Sequence, residues 1–141
     1  MSDRITEPTA ARLSVRLGVV AAACAAAALL GPPTAGATVT RIGVFADTNV
    51  GSATNYGTGC THTVQAFVTD PVAPVYFYDN GIPLATIQPS GGVAILKWVP
   101  ATPGPHTLSA VQAPDDRVTA TIALRVGVGT HIGYSCIVNG G

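Results

Sequence analysis

VYFYDNGIPLATI, residues 75–87, alternates apolar and aromatic side chains as far as Asp79-Asn80-Gly81 and then alternates again. Asn80 and Gly81 both tolerate the positive φ that a tight primed turn requires. The segment therefore predicts a β-hairpin turning through Asp79, Asn80 and Gly81. Val75 and Phe77 take one face of its first strand, Tyr76 and Tyr78 the other. Pro83 removes a ladder donor and sets the return strand, with Ile82, Leu84 and Ile87, at a sheet edge.

Outward from this hairpin the period stays at two, and no run carries the 3.6-residue period of a long helix. Toward the N-terminus, Ile42 and Val44 share a face across 41–46, and Cys60, Val64, Ala66 and Val68 share one across 60–69. Between them DTNVGSATNYGTG, residues 47–59, has no period and reads as a loop. Toward the C-terminus, Ala94, Leu96 and Trp98 oppose Val93, Ile95 and Lys97, and Leu108 and Ala110 oppose Thr107 and Ser109. The cleanest run puts Val118, Ala120, Ile122, Leu124, Val126 and Val128 on one side, and YSCIV (134–138) forms a last short strand. About seven or eight short strands with one-sided apolar faces must hide those faces. Two packed sheets do so, giving an all-β, antiparallel β-sandwich. An outer-membrane barrel is the alternative; the strands are short for one and lack aromatic girdles.

The N-terminal residues read as an address. Arg4, Arg12 and Arg16 precede the fourteen uncharged residues Leu17–Leu30, and Ala35-Gly36-Ala37 offers a small-x-small cleavage site. This is the layout of a secretory signal peptide over 1–37, with a helical apolar tract too short for the roughly 20 residues of a membrane span. An uncleaved anchor is the competing reading. Cys24 lacks the preceding Leu of a lipidation site and is taken as filler of the apolar tract.

Cleavage after Ala37 leaves 38–141 as one domain with two cysteines, Cys60 and Cys136. An even count in an exported chain reads as a disulfide rather than two free thiols. Arg41, Lys97, Arg117 and Arg125 stand against Asp47, Asp70, Asp79, Asp115 and Asp116, a scattered formal charge of −1. No basic stripe exists to neutralise phosphates, which argues against nucleic acid as a partner. No second apolar span follows the signal.

VYFYDNGIPLATI, GGVAILKWVPATPGPHTLSAVQAPDD (91–116) and VTATIALRVGVG (118–129) together resemble the bacterial immunoglobulin-like (Big-type) domains repeated in secreted and surface proteins. The likeness is strong over 75–128 and looser over 39–68. It implies an Ig-like sandwich used for adhesion, spacing or binding outside the cell, without catalysis. Such modules commonly occur in arrays, whereas one copy is present here, and the Cys60–Cys136 pairing is not a general family trait.

Candidate chemistry is sparse. His106 shares the inward phase of Leu108 and Ala110 and reads as a structural corner residue bonding the backbone upstream. His62 is in phase with Cys60 and Val64, and His131 lies in a Gly-flanked tail. Their spacing does not make a metal site. GYSC around Ser135 lacks the second Gly of a nucleophile elbow. Asp115-Asp116 is ordinary turn chemistry, and Asp47-Thr48-Asn49 has no acidic completion for calcium. No catalytic residue, metal or cofactor is expected.

If Phe77 faces the core, Tyr76 and Tyr78 face outward and can stack on sugars or peptides. Cross-strand packing is their plainer role. The expectation is a secreted or envelope-bound, disulfide-stabilised, non-catalytic binding, adhesion or structural module, its partner a protein or polysaccharide of the envelope or host. The alternative is an inhibitor or small-ligand carrier presenting loop 47–59; a small hydrolase is a third.

Overall fold

The structure, a computed structural model, describes residues 36–141. The expected signal peptide over 1–37 lies outside the described residues except for its last two positions. The described chain is all-β: β1 (Val39–Phe45), β2 (Val50–Gly51), β3 (His62–Val68), β4 (Val75–Asp79), β5 (Ile82–Ile87), β6 (Val93–Trp98), β7 (Gly104–Gln112), β8 (Asp115–Val126), β9 (Val128–Ile132) and β10 (Ser135–Asn139). Among the described residues there is no helix, and so none long and apolar enough to cross a membrane.

Two antiparallel sheets, ordered β1-β3-β6 and β5-β4-β7-β8, enclose the core. The first contributes Val39, Ile42, Val64, Ala66, Ala94 and Trp98; the second contributes Val75, Phe77, Leu108, Ala110 and Val126. Apart from Val39, which a register shift before Arg41 puts out of phase with Ile42, these are inward positions of the period-two pattern. Complete burial of Phe77 or Leu108 stabilises the fold by about 2–3 kcal/mol each.

The β4–β5 hairpin turns as its sequence dictates, with Asn80 at φ 51° and Gly81 at φ 78°. Asn80 has a second function there. Its Oδ1 accepts from Thr107 N–H at 2.8 Å and its own N–H donates to Thr107 O at 2.9 Å, so the turn is fastened to β7. A bulge opposite Phe77 and Tyr78 shifts the phase of β5. Ala85 and Ile87 become half-buried, while Ile82 is 67% exposed and Leu84 lies outside. β5 is a sheet edge, as Pro83 requires.

Ten strands replace the expected seven or eight because a third sheet, β2-β10-β9, is present. β2 lies inside loop 47–59 and pairs parallel with β10; β9 lies in the stretch read as a tail. The run expected to continue to Val128 breaks at Gly127, and Val128 turns out to 54% exposure. A Cβ on Gly127 would stand 2.6 Å from Gly140 O and 2.7 Å from Asn139 O, so only glycine permits the crossing there.

Cys60 and Cys136 form the disulfide that joins this third sheet to the segment just before β3, with Cα atoms 6.1 Å apart. That separation is within the normal range for a bridge. The sulfur packs against Gly129: a Cβ there would run into Cys60 Sγ and Thr58 O.

Candidate functional site

Three inward-phase positions carry polar groups at the ends of their strands. Asp79 closes β4, Trp98 closes β6, and His106 lies near the start of β7. The fold brings them together. His106 Nδ1 lies 2.7 and 2.9 Å from the two Asp79 carboxylate oxygens, and Trp98 Nε1 donates to Asp79 Oδ2 at 3.1 Å. His106 Nε2 lies 2.9 Å from the Thr102 carbonyl, four residues upstream. The sequence placed Asp79 only in the turn; its shared phase with Val75 and Phe77 is the signal that marks it as inward.

An Asp–His pair invites comparison with a catalytic dyad, and the Thr102 hydroxyl is 3.5 Å from Nε2. Both ring nitrogens, however, are occupied by oxygen acceptors, and His106 is buried. Nε2 lies closer to the Thr102 carbonyl than to that hydroxyl. The arrangement joins β6 of one sheet to β4 and β7 of the other. It holds the two layers in register.

A second buried polar group lies beside the disulfide. Asn49 donates through Nδ2 to Ala46 O at 2.7 Å and Thr61 O at 2.9 Å, and its Oδ1 accepts from Cys136 N–H at 3.0 Å. His62 is completely buried, with Nδ1 3.2 Å from Asn49 Nδ2 and Nε2 3.3 Å from Gly57 O. Burial pushes the imidazole pKa down, against the opposing pull of the Gly57 and Ala46 backbone and the Asp47 carboxylate. Tyr56 packs edge-on against His62 and donates its hydroxyl to Val44 O at 3.1 Å, and burial raises its pKa.

Loop 47–59 is thus fastened by Asn49, by β2 and, just beyond it, by Cys60, leaving Ser52, Ala53 and Asn55 as its exposed tip. His131 is separate from the other histidines: its Nε2 lies 2.9 Å from Gly59 O and its Nδ1 3.7 Å from Cys136 Sγ. Ser135 begins β10 and is not at a strand-to-helix turn. Among the described residues no group of three or more His, Cys, Asp or Glu side chains is placed to hold a metal ion.

Tyr76 and Tyr78 occupy the outward face of β4, the first 37% exposed and the second half-buried. Cross-strand neighbours are Thr86 and Val111 for Tyr76, and Pro83 and Ser109 for Tyr78. The rows continue onto β8 with Thr119 opposite Val111 and Thr121 opposite Ser109. Both tyrosines therefore have the packing partners of the plainer reading, while Tyr76 also keeps ring surface in solvent. The face is rich in hydroxyls, with Arg125 at one end opposite Pro105.

No family model matches the chain, and no curated protein matches it. Two solved structures are similar to it, both of the CARDB domain of the PF1109 protein from Pyrococcus furiosus. The crystal structure, a complex with di-metal ions, is 18% identical, covers 65% of this chain and 93% of that one, and has a TM-score of 0.41. The solution NMR structure is 17% identical, covers 61% and 92%, and has a TM-score of 0.39. An overlap at this level bears on neither ligand nor activity. The architecture itself is plain from the strand order: an antiparallel β-sandwich with a disulfide-fastened third sheet.

Proposed function

We propose that this chain is an exported, non-catalytic binding module of the bacterial immunoglobulin-like kind, acting at the cell envelope or in the medium. Its binding face is the outward side of the β5-β4-β7-β8 sheet, and its partner is an envelope polysaccharide. The observation that carries this reading is the pair Tyr76 and Tyr78, set two residues apart on a sheet face of threonine and serine hydroxyls. Aromatic rings on a rigid strand offer stacking area at little cost in side-chain entropy, and hydroxyls add exchangeable hydrogen bonds. The fully engaged nitrogens of His106 support a role without chemistry.

Export rests on the charged, apolar and small-residue order of residues 1–37. Ala37 is buried and Thr38 N–H donates to Thr69 Oγ1 at 2.9 Å, so cleavage after Ala37 would have to come before folding. Mass spectrometry of the secreted form checks this: an N-terminus at Thr38 supports it, and an intact chain or a lipid on Cys24 removes it.

The binding reading is tested by co-sedimentation with purified cell wall. The protein is expected to pellet, and the Tyr76→Ala plus Tyr78→Ala variant to remain in the supernatant. Equal pelleting of both proteins, or of neither, overturns it. A second reading, an inhibitor presenting loop 47–59, is favoured by the fastening of that loop, which lowers the entropy lost on docking. It predicts a stoichiometric complex with a soluble protein, indifferent to both tyrosines.

A further inference from the structure

On the opposite side of the molecule, the outward face of β1-β3-β6 has a different chemistry. Its rows run Arg41–Phe67–Val93, Gly43–Gln65–Ile95 and Phe45–Thr63–Lys97. Arg41 covers the Phe67 ring, its guanidinium carbon 4.2 Å from the ring centroid. Phe45 has no such cover and is 50% exposed. Its ring lies over Gly43, where a Cβ would stand 3.7 Å from Cε2. The residue without a side chain thus leaves room for the ring to lie down along the strand, one side open.

Beside the ring is an open groove of about 620 Å³, lined by Phe45, Asp47, Asn55, Tyr56, Thr63 and Gln65 along with the β1 backbone. Its polar groups are orientated before any ligand arrives. The Thr63 hydroxyl lies 2.9 Å from both Asp47 carboxylate oxygens, its one hydrogen shared between them, and Lys97 Nζ lies 3.2 Å from Oδ2. Asn55 Oδ1 is fixed by Gly51 N–H at 2.9 Å. The two charges of the groove's margin, Asp47 and Lys97, are paired with each other.

We propose that this groove is a binding site for one residue of a neutral saccharide, with the C–H face of the sugar on the Phe45 ring. The Asp47 carboxylate and the Gln65 and Asn55 amides take its hydroxyls. An open aromatic face set among planar hydrogen-bonding groups suits a ring that is apolar on one side and hydroxylated at its rim. A charged ligand would have to break the Asp47–Lys97 pair. A groove of about 620 Å³ has the volume of a small-molecule site. This site is separate from the tyrosine face and stands or falls without it.

The test is an NMR titration of the ¹⁵N-labelled, disulfide-bonded protein with cellotriose, maltotriose and triacetylchitotriose. At least one is expected to shift the amides of Phe45, Thr63 and Gln65 saturably. Phe45→Ala, a change at an exposed side chain, is expected to weaken that binding about tenfold or more, a loss of roughly 1.4 kcal/mol. Phe45→Trp should retain it, and Tyr76→Ala plus Tyr78→Ala should leave it unchanged. The proposal is overturned by the absence of saturable shifts with all three sugars. It is equally overturned by binding that survives Phe45→Ala, by binding lost in the tyrosine variant, or by displacement of the neutral sugar by an oligogalacturonate at low salt.

Discussion

The indole N–H of Trp98 donates to the Asp79 carboxylate at 3.1 Å, so a side chain of one main sheet is hydrogen-bonded to a side chain of the other. Asp79 also faces His106, and removing its carboxylate leaves two donors without an acceptor inside the sandwich. Asp79→Ala should therefore destabilise the fold by about 2–3 kcal/mol, the range for buried hydrogen bonds to a charged group. Trp98→Phe, which deletes only one of the two bonds, should cost less once the smaller ring's packing loss is subtracted. Urea denaturation followed by circular dichroism measures both. A change in Asp79→Ala of under about 0.5 kcal/mol, the usual span of inconsequential surface substitutions, would refute the role given to this carboxylate.

The Cys60–Cys136 bridge closes a segment of 76 residues. By the loop-entropy model, opening it removes about 4 kcal/mol by releasing the unfolded chain. The double variant Cys60→Ser plus Cys136→Ser should unfold at a correspondingly lower urea concentration. Reductant should lower the midpoint of the unaltered protein and leave that of the variant where it is. If reductant shifts neither, the bridge contributes nothing to stability.

Asn49 binds Ala46 O, Thr61 O and Cys136 N–H with one side chain. Asn49→Ala leaves those buried groups to find water or remain unpaired, at about 1–3 kcal/mol for each that fails. The expected local consequence is faster amide exchange in β10 at Cys136, measured by hydrogen–deuterium exchange. Unchanged protection of that amide would show that the Asn49 contact is incidental.

Burial lowers the His62 pKa from the ordinary imidazole value of about 6.5. The sign of the effect on stability follows. Below about pH 6.5 the unfolded chain takes up a proton at this ring that the folded chain resists. The unfolded state then binds more protons, and stability falls as pH drops toward the folded-state pKa. Above about 6.5 the contribution is complete and flat. The His62 ring resonance, followed by NMR, should titrate below that value, and a midpoint at or above it would reverse the argument.

Much of the architecture was readable from the chain because a strand with one wet face writes its burial as alternation. Asn80-Gly81 fixed the hairpin, Pro83 the edge, and the phases of Val64, Phe77, Ala94, Leu108 and Ala110 the core. What was not readable depends on contacts between distant segments. β2 and β9 are short, glycine-containing and largely exposed, so pattern alone cannot separate them from loop. The break at Gly127 is imposed by the backbone of residues 139 and 140, which alternation within β8 cannot register. Of the polar seam, the sequence showed that His106 faces inward; that Asp79 and Trp98 meet it depends on how two sheets stack. The outward tyrosines were visible as a pair, whereas the Phe45 groove was not, since it requires Gly43, Asp47 and Gln65 to converge from separate strands and a turn.

The chain contains one tryptophan. Its ring centroid lies 5.7 Å from that of His62 and 5.6 Å from that of His106, between the two imidazoles. The molecule thus carries its own fluorophore at the junction of its layers. Its emission wavelength and intensity report, without any attached dye, whether that junction is shut or has admitted solvent.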